Sequence, residues 1–227
     1  MWWIDSGYIL FVIPALLLTV WAQINVNSTY RKYAQVYSRR GLTAAEAARA
    51  ILNRNGLSNV AVGHVSGRLT DHYDPRTNEI HLSDSTYSST SVAAIGVAAH
   101  EAGHAIQHAV GYAPIRVRNF LVPSVQFASQ AAIPLFIIGM IFNSGFLMDA
   151  GIWFFVAAVA FQLITLPVEF NASGRAIAIL DQGGILESDE VAGAKRVLRA
   201  AAMTYVAAAA MALAQLLRLL MARGRRD

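Results

Sequence analysis

The run AAHEAGHAIQH, residues 98–108, sets His100, Glu101, His104 and His108 into an otherwise apolar, alanine-rich stretch. Ionisable groups at that density in an apolar helix are costly unless something satisfies them. An α-helix rises about 1.5 Å per residue, so His100 and His104 stand about 6 Å apart along the axis, on one face. Two imidazoles at that spacing can converge on one zinc ion. Glu101 is turned by about 100° from His100, so it reaches a water at the ion's open position and not the ion itself. A carboxylate there can take a proton from that water. Ala102 and Gly103, between the histidines, are small and uncharged. The bland alternative is a core helix with satisfied histidines, or a solvated stripe. It would need partners that a metal supplies directly.

His108 lies about 12 Å along the axis from His100, too far to share an ion with nitrogen bonds of about 2 Å. The longer pattern HExxHxxGxxH also fails, because Gln107 and Val110 stand where it needs a glycine and a histidine. His108 therefore reads as a supporting or surface residue. The third ligand must come from elsewhere, and with no cysteine in the chain it must be His, Asp or Glu. Glu169, in TLPVEFNASGRA, is the best candidate: it follows directly on an apolar run, where a glutamate needs a partner. Pairing with Arg175 is the ordinary alternative. Asp181, Glu187, Asp189 and Glu190 are weaker candidates, in a stretch that reads as solvating or capping the last helix. His64, His72 and His81 sit in strand-like sequence and read as cleft-lining or surface groups.

The elements that must position these residues follow from composition. Of 227 residues, 56% are hydrophobic and only 14% charged, against roughly 25% charged in a soluble domain. Four apolar runs approach the roughly 20 residues of a bilayer-crossing helix: Tyr8 to Ile24, Phe120 to Phe142 (with Pro123 and Pro134 inside), Ala150 to Val168, and Ala200 to Leu217. The leader MWWIDSGY carries Asp5 and no basic residue, so the first run reads as a retained anchor and not a cleaved signal. The fold expected is mainly α, a polytopic membrane protein with about four transmembrane helices and a cytoplasmic zincin-like HExxH domain. The division expected is an anchor over 1–24, that domain over 25–119, two spans over 120–168, a cytoplasmic segment with the third ligand over 169–199, and a last helix over 200–227.

Within 25–119, LTAAEAARAILNRNGL reads as a helix with Thr43 and Glu46 at capping-box spacing and Gly56 at its stop. Val60 and Val62, then Ile80 and Leu82, alternate around the turn-rich DPRTN as in a small β-hairpin. This segment carries ten Lys/Arg, four of them between positions 31 and 40, whereas the turn NSGFLMD carries none. The positive-inside rule then puts the large domain in the cytoplasm. The tail RLLMARGRRD conflicts: a spanning fourth run would leave its four arginines outside, unless that helix is tilted or re-entrant. The net charge of +4 is modest and the basic residues lack interleaved aromatics, which argues against nucleic acid as a partner.

AAHEAGHAIQH and TLPVEFNASGRA, preceded by DHYDP and IHLS, resemble the YugP-type neutral zinc metallopeptidases of bacterial membranes over essentially the whole chain. The resemblance implies a Zn²⁺-dependent membrane protease, with His100, His104 and Glu169 as metal ligands, Glu101 as the catalytic glutamate, and protein or peptide substrates at the bilayer. The site is also similar to that of HtpX-like and CAAX-prenyl membrane proteases, whose third-ligand motif reads E-F-x-A-D. Here it reads EFNAS. Ser173 thus replaces an aspartate that would orient a ligating histidine, leaving Asn171 or Asp84 as substitutes. On this reading NEIHLS would pair with substrate along a sheet edge, and oxyanion help would come from Arg175, His81, Tyr87 or Tyr205. Two rivals stand beside it. A site-2-type intramembrane protease would take the HExxH helix into the bilayer, but such enzymes use an Asp ligand and no apolar run here contains one. A zinc-bound scaffold without turnover would lack Glu101, which is present. Gln126, Gln130 and Gln162 read as packing groups between helices, with a substrate path as the alternative.

Overall fold

The computed structural model describes residues 6–224, so Asp5 of the leader and Arg225 and Arg226 of the tail lie outside the described residues. Its elements, in order, are α1 (Ile13–Tyr33, entered through a π-helical turn at Tyr8–Val12), α2 (Ala44–Arg54), β1 (Ala61–Val65), β2 (His72–Asp74), β3 (Glu79–Ser83), α3 (Val92–Ala109), α4 (Ala113–Ile141), α5 (Gly145–Gln182) and α6 (Ser188–Gly224). The helix with α1 in it and α4, α5 and α6 are each long and apolar enough to cross a membrane; α3 is not among them. Pro123 and Pro134 do not break α4, which runs straight through both. The polar segment 169–199 is not a loop: α5 continues through it to Gln182 and α6 begins at Ser188. At about 1.5 Å per residue, the 38 residues of α5 outrun a hydrocarbon core of about 30 Å, so its end must project beyond the apolar stretch.

The chain divides into two compact units. Among the described residues the first takes 6–23, 116–167 and 203–224. Its core is Phe136, Met148 and Ile152, with Leu216 and Leu219 of α6 packed against them. Glycines let α4 and α5 cross closely: a Cβ on Gly151 would stand 2.7 Å from the Ala132 carbonyl oxygen. Large apolar side chains such as Leu17, Phe127 and Trp153 face outward, a surface that suits lipid and not water. At one end of this unit Arg223 Nε meets Asp149 Oδ1 at 2.9 Å, and Arg218 lies over the Tyr8 ring at 5.0 Å. The far end of α6, the α4–α5 turn and the start of the first helix therefore share that end. α6 is one unbroken helix from Ser188 to Gly224.

The second unit takes residues 24–115 and 168–202. α2 forms as its capping box dictates: the Thr43 side chain accepts from the Glu46 N–H while Glu46 bonds back to the Thr43 backbone. Gly56, at φ +72°, then reverses the chain. The sheet has the order β1-β3-β2. The antiparallel hairpin around DPRTN is present, but its partners are β2 and β3. The strand with Val62 lies on the other side of β3 and runs parallel to it, so Val62 pairs with Ile80 by a crossover and not by a hairpin. β3 is thus the central strand, hydrogen-bonded on both sides. NEIHLS has no free edge to offer a substrate; among the described strands the free edges belong to β1 and β2.

Candidate metal centre

α3 is the central helix of the second unit. Ser91 caps it, its Oγ accepting from the Ala94 N–H, and Ala94, Ala98, Ala99 and Ala102 are fully buried in the core that α2, the sheet and the ends of α5 and α6 complete. The alanines make α3 thin, and Gly103 makes it thinner at one point. A Cβ there would stand 2.7 Å from the Ala172 carbonyl oxygen of α5. That backbone-to-backbone crossing is what brings Glu169, one turn before Ala172, onto the face that carries His100 and His104.

The three side chains converge. His100 Nε2 lies 3.2 Å from Glu169 Oε2 and 3.2 Å from His104 Nε2, and His104 Nε2 lies 3.5 Å from the same carboxylate oxygen. They form the one cluster of potential metal ligands among the described residues. Tetrahedral bonds of about 2.0–2.1 Å put neighbouring ligand atoms about 3.3 Å apart, which is the size of this triangle. The donor set fits as well. Gln107 Nε2 donates to the Val168 carbonyl (2.8 Å) and to Asn171 Oδ1 (3.0 Å), so its Oε1 faces His104 Nδ1 at 3.0 Å and accepts from it. Ser173 Oγ lies 3.1 Å from His100 Nδ1. With His104 Nδ1 donating to Gln107 and His100 Nδ1 held against the Ser173 hydroxyl, both Nε2 atoms and a carboxylate oxygen face one point. Three electron-pair donors at such separations repel unless a proton or a metal cation sits among them.

The surroundings favour positive charge. Burial alone would push the His104 imidazole down. The Glu169 hydrogen bond, the nearby charges of Glu101 and Glu169, and the Gln107 acceptor outweigh it and hold His104 above the usual histidine range. Glu101 is itself buried, on the turn between the two histidines.

Other candidate residues lie elsewhere. His108 is exposed, with its Nδ1 3.2 Å from the Tyr73 hydroxyl. His64 meets Asp84 at 2.6 Å, and His72 stacks on His81 with ring centres 4.9 Å apart. Glu190 caps the start of α6 by accepting from the Glu187 N–H, Asp189 pairs with Arg39, and Glu187 lies 3.7 Å from Arg40; Asp181 is exposed at the end of α5. Arg175 is not the partner of Glu169: its Nε donates to Asn171 at 2.8 Å. Tyr87 stands edge-on to His64, and Tyr205 belongs to the first unit.

The expected substitutes for the missing aspartate are corrected here. Asp84 is held by His64 and the Gly67 N–H, and Asn171 serves Gln107 and Arg175. Ser173 itself takes the His100 contact, since it lies one turn past Glu169 on the same face of α5. Gln107 was not foreseen as a partner. Its signal was its place three residues beyond His104, one turn along the same face. Gln107→Leu should lower zinc affinity by about 10–100-fold and Ser173→Ala by about tenfold, as losses of partners that orient a ligating histidine do. Competition with a fluorescent zinc chelator measures both; unchanged affinity in the two variants would leave these contacts without a role at the centre.

The family described as "Putative neutral zinc metallopeptidase" matches residues 8–224. The "Putative membrane protease YugP" of Bacillus subtilis (strain 168) is 49% identical over 214 residues, which cover 94% of this chain and 95% of that protein. No solved structure matches the chain.

Proposed function

We propose, from the premise that this chain belongs to the neutral zinc metallopeptidase family, that it is a membrane-embedded zinc metalloendopeptidase acting on membrane or membrane-proximal proteins. The observation that carries this reading is the triangle of His100 Nε2, His104 Nε2 and Glu169 Oε2, with edges of 3.2–3.5 Å, beside a buried glutamate. Two histidines and a glutamate, with a fourth position left open, form a hydrolytic zinc set and not a closed structural one.

In this mechanism His100, His104 and Glu169 hold Zn²⁺, with Gln107 and Ser173 keeping each imidazole's Nε2 turned inward. Zinc, when bound, acidifies water and polarises a carbonyl. The Glu101 carboxylate takes the proton of the attacking water as the C–O bond forms. It then delivers that proton to the departing amine nitrogen as the C–N bond breaks, which leaves an acid and an amine. The burial of Glu101 limits competing solvent around that carboxylate.

Purified protein should contain one zinc per chain and cleave casein or a membrane-bound reporter, with cleavage lost on treatment with a chelator and restored by zinc. A metal-free protein that never cleaves either would end the reading. The intramembrane alternative loses support because α3 is not one of the four long apolar helices. The scaffold alternative has no observation in its favour.

For orientation, the density of Lys/Arg in the segments outside the first unit supports placing the metal centre on the cytoplasmic side. The chain has no cysteine, so single cysteines report cleanly. With a membrane-impermeant maleimide, Phe142→Cys in the α4–α5 turn should label in intact cells and Ser58→Cys only after lysis. The opposite pattern would move the centre outside.

A further inference from the structure

The first unit contains a cavity of about 470 Å³ walled by all four long helices. Three of the helices each contribute a glutamine: Gln23 from α1, Gln162 from α5 and Gln215 from α6. The hydroxyls at the same cavity are satisfied along their own helices, Thr19 by the Ala15 carbonyl and Ser129 by the Gln126 carbonyl. The three amides are not hydrogen-bonded to any described residue. Gln126 and Gln130 do not line the cavity; of those that do, Gln23 is exposed and Gln162 and Gln215 are half-buried. In hydrocarbon an unpaired amide is expensive, and packing alone gives no reason for three helices to aim one each at a shared space.

Shape narrows the occupant. On α6 the lining runs from Thr204 to Gln215, about 16 Å along the axis. A space of about 470 Å³ over that length has a cross-section of about 30 Å². An α-helix, about 10 Å across, does not fit; an extended chain of about five residues does. Ala207, Ala208 and Ala212 keep that wall flat. A lipid acyl chain is as narrow but offers the amides nothing. A primary amide both donates and accepts, as a peptide group does, so the lining is complementary to an unwound main chain.

We propose that this cavity binds a short, extended stretch of a membrane-protein substrate, with Gln23, Gln162 and Gln215 pairing to its main-chain N–H and C=O groups. This rests on the reading of the chain as a membrane peptidase. The test uses full-length protein in phospholipid nanodiscs with p-benzoylphenylalanine at Met211, which lines the cavity. The probes are two synthetic single-span peptides: one of uninterrupted leucine, one with a central Asn-Pro-Gly-Asn break. The broken peptide should cross-link about tenfold more than the intact one, and the Gln162→Leu/Gln215→Leu protein should lose that difference. Ala208→Leu, which fills the cavity from the α6 wall while leaving all three amides in place, should lose it too; zinc content reports that each variant is folded. Equal cross-linking of both peptides, cross-linking to phospholipid only, or an unchanged preference in folded variants overturns the proposal. Zinc and casein cleavage are scored separately on the parent protein, so their absence would refute the peptidase reading while the peptide preference still tests the cavity.

Discussion

Replacing Glu101 with glutamine leaves one zinc per chain and lowers peptide hydrolysis by about a thousandfold, the scale of a lost general base. Glutamine keeps the size and hydrogen-bonding reach of glutamate but cannot accept the proton of the attacking water. The metal stays because Glu101 is not part of the ligand triangle; that belongs to His100, His104 and Glu169. Its charge is one of the influences that raise His104, so the neutral variant also gives a less basic imidazole, which favours metal over proton. Elemental analysis and casein cleavage on the same preparation check both halves. Cleavage at the parent rate would remove Glu101 from the mechanism, and loss of zinc would make it a structural member of the site.

Glu169→Ala should abolish zinc retention during purification. Structural zinc sites with four ligands bind with about 10–16 kcal/mol, so one ligand accounts for about 3 kcal/mol, or about a hundredfold in affinity. Here the loss is larger than that share. Glu169 brings the only negative charge in the triangle, and its removal leaves two neutral imidazoles with a buried void beside them. The fold should survive, because the α3–α5 crossing depends on Gly103 against Ala172 and on the buried Val168, Ala172 and Ala176, none of which changes. Zinc content near zero with an unaltered helical circular-dichroism spectrum is the expected pair of results. Full zinc content would show that Glu169 is not a ligand.

A good part of this molecule is written locally. The four-residue step from His100 to His104 puts both rings on one face of any helix, so the ligand pair needs no tertiary information. The capping box at Thr43 and Glu46 is equally local, and α2 starts where it says. Four apolar runs announce four long helices, although not their ends: hydropathy stops at Val168 while α5 continues, because a helix persists past the apolar stretch wherever another element buries it. Glu169 was legible as an anomaly, an acid directly after an apolar run, and as the candidate third ligand beside His100 and His104, but the crossing that brings it there was not.

What the chain order could not reveal is which backbones approach. Val62 looked like one arm of a hairpin because alternation marks strands without naming their partners; the parallel pairing with β3 is a long-range choice. The roles of Ser173 and Gln107, the shared cavity of three glutamines, and the meeting of Arg223 with Asp149 all depend on helix crossings. Sequence by itself determined the residue types, their helical faces and the apolar lengths, since these follow from a repeat of about 3.6 residues and from transfer energy. Only the tertiary structure decided that Gly103 would let α5 come close enough for Glu169 to complete the triangle, because the distance between two helices is set by the side chains at their contact and by nothing within either helix alone.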